Sequence, residues 1–222
     1  MKNKRVYRVS MFYYGVLLLV WSIRELVIRP LFDVDFNVWQ DAVISTIIKV
    51  LVWTLPAFFY VRHYEECLYV PLKKMFSMKI KWLPYLGIIA SFFLYHLTGA
   101  FITYGKIGIN EHFHLSSLPG VVLFVGITEE FAFRGWLLNS TFREEKKWQS
   151  ILLNALLFVG IHFPIWLHRG LFYEPNLLLQ DVLVVFILSV IFSWSFIKSK
   201  NILVPMLIHM CWNLFDILFF GT

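Results

Sequence analysis

The chain has 222 residues, of which 59% are hydrophobic, 19% aromatic and only 15% charged, and its mean hydropathy is +0.69. A soluble domain carries about 25% charged residues, so this chain lacks the polar material to cover a water-facing surface. That excludes a disordered chain, a disulfide-stapled secreted domain and an ordinary soluble enzyme. The formal charge of +6 does not signal nucleic acid, because the basic residues sit in small groups between apolar runs, as in the cytoplasmic loops of membrane proteins. Cys67 lies in a charged segment and Cys211 in a late apolar run, a spacing that suits neither a disulfide framework nor a metal site.

A spanning helix needs about 20 mostly apolar residues. Seven stretches qualify, near 11–27, 42–61, 82–104, 119–139, 148–167, 177–197 and 202–220. Their continuity excludes the short alternating segments of a membrane β-barrel. The first contains Arg24 and Glu25 near its end and the second contains Lys49. The basic start resembles a signal peptide, but no small-residue cleavage site precedes Arg24, so it reads as a retained helix. With the N-terminus inside, the inner connections hold Lys2, Lys4, Arg5, Arg8, Arg62, Lys73, Lys74, Lys79, Lys81, Arg143, Lys146, Lys147, Lys198 and Lys200, and the outer ones only Arg29, Lys106 and Arg169. The expectation is an all-α polytopic transmembrane helical bundle of seven spans, N-terminus in and C-terminus out. The segment 62–81 mixes charges with Leu68, Tyr69, Val70, Leu72, Met75 and Phe76; it reads as a basic loop, with an amphipathic segment along the membrane surface as the alternative. Trp21, Trp53, Trp82, Trp148 and Trp166, near span ends, read as interfacial anchors and lipid-facing packing. No Gly/Ser linker divides the chain: residues 1–118 supply N-terminal spans and the basic connection, and 119–222 a core within the same bundle.

Ionisable residues inside a membrane are costly and usually mark a functional site. The fourth span carries Glu129, Glu130 and Arg134. Glu130 and Arg134 stand at i and i+4, where side chains meet, and Glu129 projects about 100° away, so one carboxylate can be held while the other stays free to act. The fifth span places Asn154, Phe158 and His162 on one stripe, and the seventh places His209, Asn213 and Asp216 on another. Either stripe alone serves equally well as interhelical hydrogen bonding. His63, His112, His114 and His168 fall in connections, and His96 and Lys49 lie in spans without an identified partner. A buried carboxylate, two histidines and an asparagine suit hydrolytic acyl transfer: Glu129 as general base, His162 holding the same water, His209 and Asn213 donating to the oxyanion.

At these residues the chain resembles the CAAX protease and bacteriocin-processing (CPBP, or Abi) family of intramembrane endopeptidases, whose motifs EExxxR, FxxxH and HxxxN occur in that order on separate helices. Here they are Glu129-Glu130 with Arg134, Phe158 with His162, and His209 with Asn213. The resemblance covers about 119–220. It implies a membrane-embedded endopeptidase in which Glu129 and His162 activate water, His209 and Asn213 stabilise the oxyanion, and Glu130, Arg134 and Phe158 give support. Zinc on Glu129, His162 and His209 is the alternative, but the absence of HExxH favours metal-free chemistry. Short spans and compact loops look like the bacterial branch. That implies a multi-pass protein of the bacterial plasma membrane, surrounded by lipid, acting on a peptide or membrane-protein substrate in peptide or bacteriocin processing or self-immunity. A non-catalytic immunity or scaffold protein and a proton-coupled transporter are the competing readings; the latter lacks the inverted repeats such transporters show.

The topology is checked by cysteine accessibility in intact cells. Lys106→Cys reacts with an impermeant maleimide and Lys146→Cys only after permeabilisation; labelling of both from one side overturns the assignment.

Overall fold

The computed structural model describes residues 2–32, 38–115 and 118–221, and all of their regular structure is helical. In chain order the helices are α1 (2–32), α2 (38–63), α3 (Leu72–Ser77), α4 (Leu83–Tyr104), α5 (118–141), α6 (Lys147–Gly160), α7 (Phe163–His168), α8 (Pro175–Ser199) and α9 (Leu203–Phe219). Among the described residues five stretches are long and apolar enough to cross a membrane, Lys4–Leu31, Val43–His63, Leu83–Tyr104, Glu144–His168 and Pro175–Ser199, with Leu203–Phe219 a shorter apolar helix. The helix α5 matches them in length but carries the Glu129, Glu130 and Arg134 charges. Exposed Leu19, Leu83 and Ile102 face outward on these helices, as lipid contact requires and water does not favour. The chain is thus a multi-pass, all-α membrane bundle.

Two features of the backbone prepare the site. First, α5 is not a uniform α-helix: wide π-type turns run over Leu118–Phe124 and Phe131–Leu138, with the α-helical turn Val125–Glu130 between them. Such wide turns often occur at functional sites, and this one places Glu129 and Glu130 where the helix changes pitch. Second, the span 144–168 breaks between α6 and α7. Pro164 in the first turn of α7 has no N–H to continue the ladder, so His162 sits at the break, with its own N–H on the Val159 carbonyl at 3.0 Å.

The main core packs Tyr13, Leu17, Trp21, Trp53, Phe133, Trp136, Phe158 and Phe196 from α1, α2, α5, α6 and α8, and a second cluster joins Tyr85 and Phe92 of α4 with Phe192 of α8 and Ile208 of α9. The helices α5 and α9 approach closely at Gly126, where a Cβ would stand 2.7 Å from Met210 Cγ and 3.3 Å from the Met206 carbonyl.

Two expectations need correction. The segment 62–81 is more than a basic loop: Val70 and Met75 are buried, α3 forms within it, and Ile202 N–H donates to the Met75 carbonyl at 2.9 Å. The apolar Val70, Leu72 and Met75 outweigh the lysines, whose charged heads can reach water on flexible stems. Among the five tryptophans, Trp82 and Trp148 are exposed, but Trp21, Trp53 and Trp166 are buried; a bundle with little apolar bulk at its polar centre uses their large rings as packing.

The side chain of Asn139, at the end of α5, clamps that segment. Its Oδ1 accepts from Val70 N–H at 2.7 Å, and its Nδ2 donates to the Val70 carbonyl at 2.8 Å. Asn139→Leu leaves both backbone groups buried and unpaired, so it should cost about 2–4 kcal/mol; thermal unfolding in detergent then shows a clear drop in midpoint, whereas an unchanged midpoint shows that the clamp contributes nothing.

Candidate active site

Putting a carboxylate into a bundle core requires a partner for its charge, because desolvation otherwise costs several kcal/mol per ion. Each glutamate of α5 has one, and they differ. Glu130, fully buried, accepts from Arg134 Nη1 at 2.9 Å, the i, i+4 pair expected from spacing. Arg134 Nη2 continues to Ser189 Oγ at 2.6 Å and the Ser189 carbonyl at 3.1 Å on α8, and its guanidinium lies 4.5 Å from the Phe158 ring centroid. The same Oε1 of Glu130 also meets His209 Nδ1 at 2.8 Å. A carboxylate only accepts, so Nδ1 carries the proton and Nε2 is left for other work.

Glu129 is not free, contrary to the sequence expectation. Lys49 of α2 donates from Nζ to its Oε1 at 2.6 Å, and both side chains are largely buried. The ammonium also lies 5.5 Å from the Trp21 ring and 5.4 Å from the Trp53 ring, close enough for cation–π attraction. His162 and His209 are near enough to interact electrostatically with Glu129. The lone lysine of a span facing an acid of another was the available signal, since intramembrane charges pair.

His162 Nδ1 lies 2.7 Å from the Phe158 carbonyl; the carbonyl accepts, so Nδ1 carries the proton and Nε2 has an open lone pair. The Phe158 ring lies 4.9 Å from that of His162 and 6.4 Å from that of His209, separating the two imidazoles while seating both. His209 stacks on Phe192 at 4.8 Å. Asn154 is structural: its amide donates to the Phe133 carbonyl at 3.0 Å and its Oδ1 accepts from Ser193 at 3.1 Å. Asn213 donates one N–H to the Val121 carbonyl at 2.9 Å, so one amide hydrogen of the expected oxyanion pair is already engaged and the second remains.

A cavity of about 1000 Å³ opens between α4, α7, α8 and α9, with His162, Asn213, Trp166, Arg169, Asp181 and Asp216 in its wall. Glu129 and His209 are not part of that wall, so His162 and Asn213 are the catalytic-motif residues that line it. His96, which had no assigned partner, lies in the same wall with Nε2 3.7 Å from Asp216 Oδ1. A zinc ion would need three convergent donors. Among the described residues no group of three His, Cys, Asp or Glu side chains is spaced to hold a metal, and the Lys49 ammonium already sits on Glu129. The set does not fit a metal.

Residues 111–215 match the family model described as Type II CAAX prenyl endopeptidase Rce1-like. The matched segment contains all seven motif residues, from Glu129 to Asn213, so the family resemblance drawn from the motifs is met. No curated protein and no solved structure matches the chain.

Arg134→Met tests the buried network. Removing the arginine leaves the buried Glu130 carboxylate with only its hydrogen bond to His209, which should cost about 3–5 kcal/mol and yield poorly folded protein on size exclusion in detergent; wild-type stability would show the pair to be dispensable.

Proposed function

We propose that this chain, whose residues 111–215 form an Rce1-like domain of the CAAX prenyl endopeptidase type, is an intramembrane endopeptidase that hydrolyses a peptide bond of a membrane-associated peptide or protein. The observation that supports it best is the difference between the adjacent carboxylates: Glu130 takes both Arg134 and His209 on its Oε1, whereas Glu129 meets a single ammonium through Oε1. Packing alone needs no second acid.

In the proposed reaction a water between Glu129 and His162 gives a proton to Glu129 and adds to the scissile carbonyl. His162 Nε2 accepts the water's other hydrogen bond and fixes its direction. The resulting oxyanion takes hydrogen bonds from the remaining Asn213 N–H and from His209 Nε2–H, which is present when the ring carries both protons; Glu130 supplies the counter-charge for that state. As the C–N bond breaks, the Glu129 carboxyl returns its proton to the departing amine. No metal enters this scheme. The cavity beside His162 and Asn213 is the proposed entry for the substrate, and the bacterial plasma membrane is the setting we assign.

The test uses purified protein in lipid nanodiscs with two quenched fluorescent probes, an S-farnesylated CAAX peptide and an unprenylated hydrophobic peptide, each with and without chelator. Wild type should cut at least one probe, chelator should leave the rate unchanged, and Glu129→Gln should lower it about 1,000-fold or more, as loss of an essential base or nucleophile does. Undiminished cleavage by Glu129→Gln would overturn Glu129 as the base, whereas full protection of cells by Glu129→Gln with no probe cut by wild type would instead mark a non-catalytic membrane protein.

A further inference from the structure

The two N-terminal helices lie outside the family-matched segment 111–215, yet they reach into the site. Lys49 ends the α-helical part of α2 and begins the wide turn Val50–Thr54. Its ammonium meets Glu129 Oε1 at 2.6 Å. A second turn of this kind, Arg24–Ile28 in α1, carries a buried charge group: Arg24 pairs with Glu25 and donates to Ser45 of α2 at 2.6 Å, while Arg29 meets Glu25 at 3.2 Å. Trp21 joins the two groups, with the Arg24 guanidinium 4.9 Å and the Lys49 ammonium 5.5 Å from its ring. Glu25 is fully buried and Arg24 nearly so. Burying a second ionic cluster in a membrane helix is costly, and here it ties α1 to α2 beside the residue that touches Glu129.

We infer that Lys49 is the positioning residue for Glu129: it engages Oε1, fixes the carboxylate plane and leaves Oε2 as the atom that takes the proton from water. Trp21 and Lys49 stand just before the wide turns of α1 and α2, and the Arg24–Ser45 hydrogen bond, with Arg24 held by Glu25, ties those helices together. The catalytic unit therefore includes α1 and α2, and the matched segment alone contains a buried carboxylate without its counter-ion. This assignment rests on the endopeptidase reading for its kinetic consequence, but the pairing itself is independent of it.

The experiment has one readout for each. Wild type, Lys49→Met, Lys49→Arg and Glu129→Gln, each in nanodiscs, are treated with N,N′-dicyclohexylcarbodiimide, which couples to neutral carboxyl groups in apolar surroundings, and modification of Glu129 is followed by peptide mass spectrometry. The same preparations are assayed on the farnesylated and unprenylated probes. An uncompensated buried charge neutralises itself, so Glu129 should be modified about tenfold faster in Lys49→Met than in wild type, with Lys49→Arg protected. On a cleaved probe, Lys49→Met should lose about 10- to 100-fold in kcat, as a misplaced catalytic group does, with KM little changed and Lys49→Arg recovering most of the rate. If Lys49→Met folds poorly, the double variant Lys49→Met/Glu129→Gln, which removes both charges, should regain thermal stability; failure to regain it overturns the pairing. Equal modification of Glu129 in wild type and Lys49→Met overturns the assignment whether or not a probe is cut. Absence of cleavage by wild type with the modification pattern intact counts against the endopeptidase reading and leaves the pairing standing. Cleavage with unchanged kcat in Lys49→Met overturns the positioning role.

Discussion

A charge taken out of water into a helical bundle must find its opposite inside the protein, and the arrangement of this molecule follows from that requirement. Glu130 is matched by Arg134 and His209, Glu129 by Lys49, and Glu25 by Arg24 and Arg29. The first two link α2, α5 and α9, Arg24 ties α1 to α2 through Ser45, and Arg134 carries the network on to Ser189 of α8. Apolar packing fills the space between them, but in lipid it gives little preference for one helix neighbour over another. The ion pairs and their hydrogen bonds decide which helices meet and in what register.

The helical class was legible because it depends on composition and on run length, both local properties. The Glu130–Arg134 pair was legible for the same reason: i, i+4 spacing is a property of one helix. The pairing of Lys49 with Glu129 was not, because the two residues lie 80 positions apart and no periodicity within either span reports on the other. Trp21 and Trp53 were read as interfacial from their places near span ends, but they pack around the Lys49 ammonium; the position of a tryptophan along a span says little about which way its ring turns. The segment 62–81 was misread because its lysines dominate the composition while its buried Val70 and Met75 dominate its energetics. His162 illustrates an intermediate case. Its stripe with Phe158 was visible in the spacing, and Pro164 two residues later was visible too, but the break they make together is a property of the folded helix.

The two histidines differ in their second hydrogen-bond partner, and this separates their chemistry. His162 gives its Nδ1 proton to a backbone carbonyl, a neutral acceptor, which leaves an imidazole suited to accept from water. His209 gives its Nδ1 proton to a carboxylate, and the proposed donor role at Nε2 rests on that arrangement. Phe158 stands near both rings and under the Arg134 guanidinium, which accounts for an aromatic residue among otherwise polar motif positions.

The contact at Gly126 extends these constraints to how such a sequence can change over generations. A side chain at that position would collide with Met210 and press on the Met206 backbone, so a substitution there is tolerable only if residue 210 shrinks at the same time or the helices part. Parting them would pull Glu130 from His209. Positions 126 and 210 are therefore expected to drift in concert, each step at one waiting on a compensating step at the other.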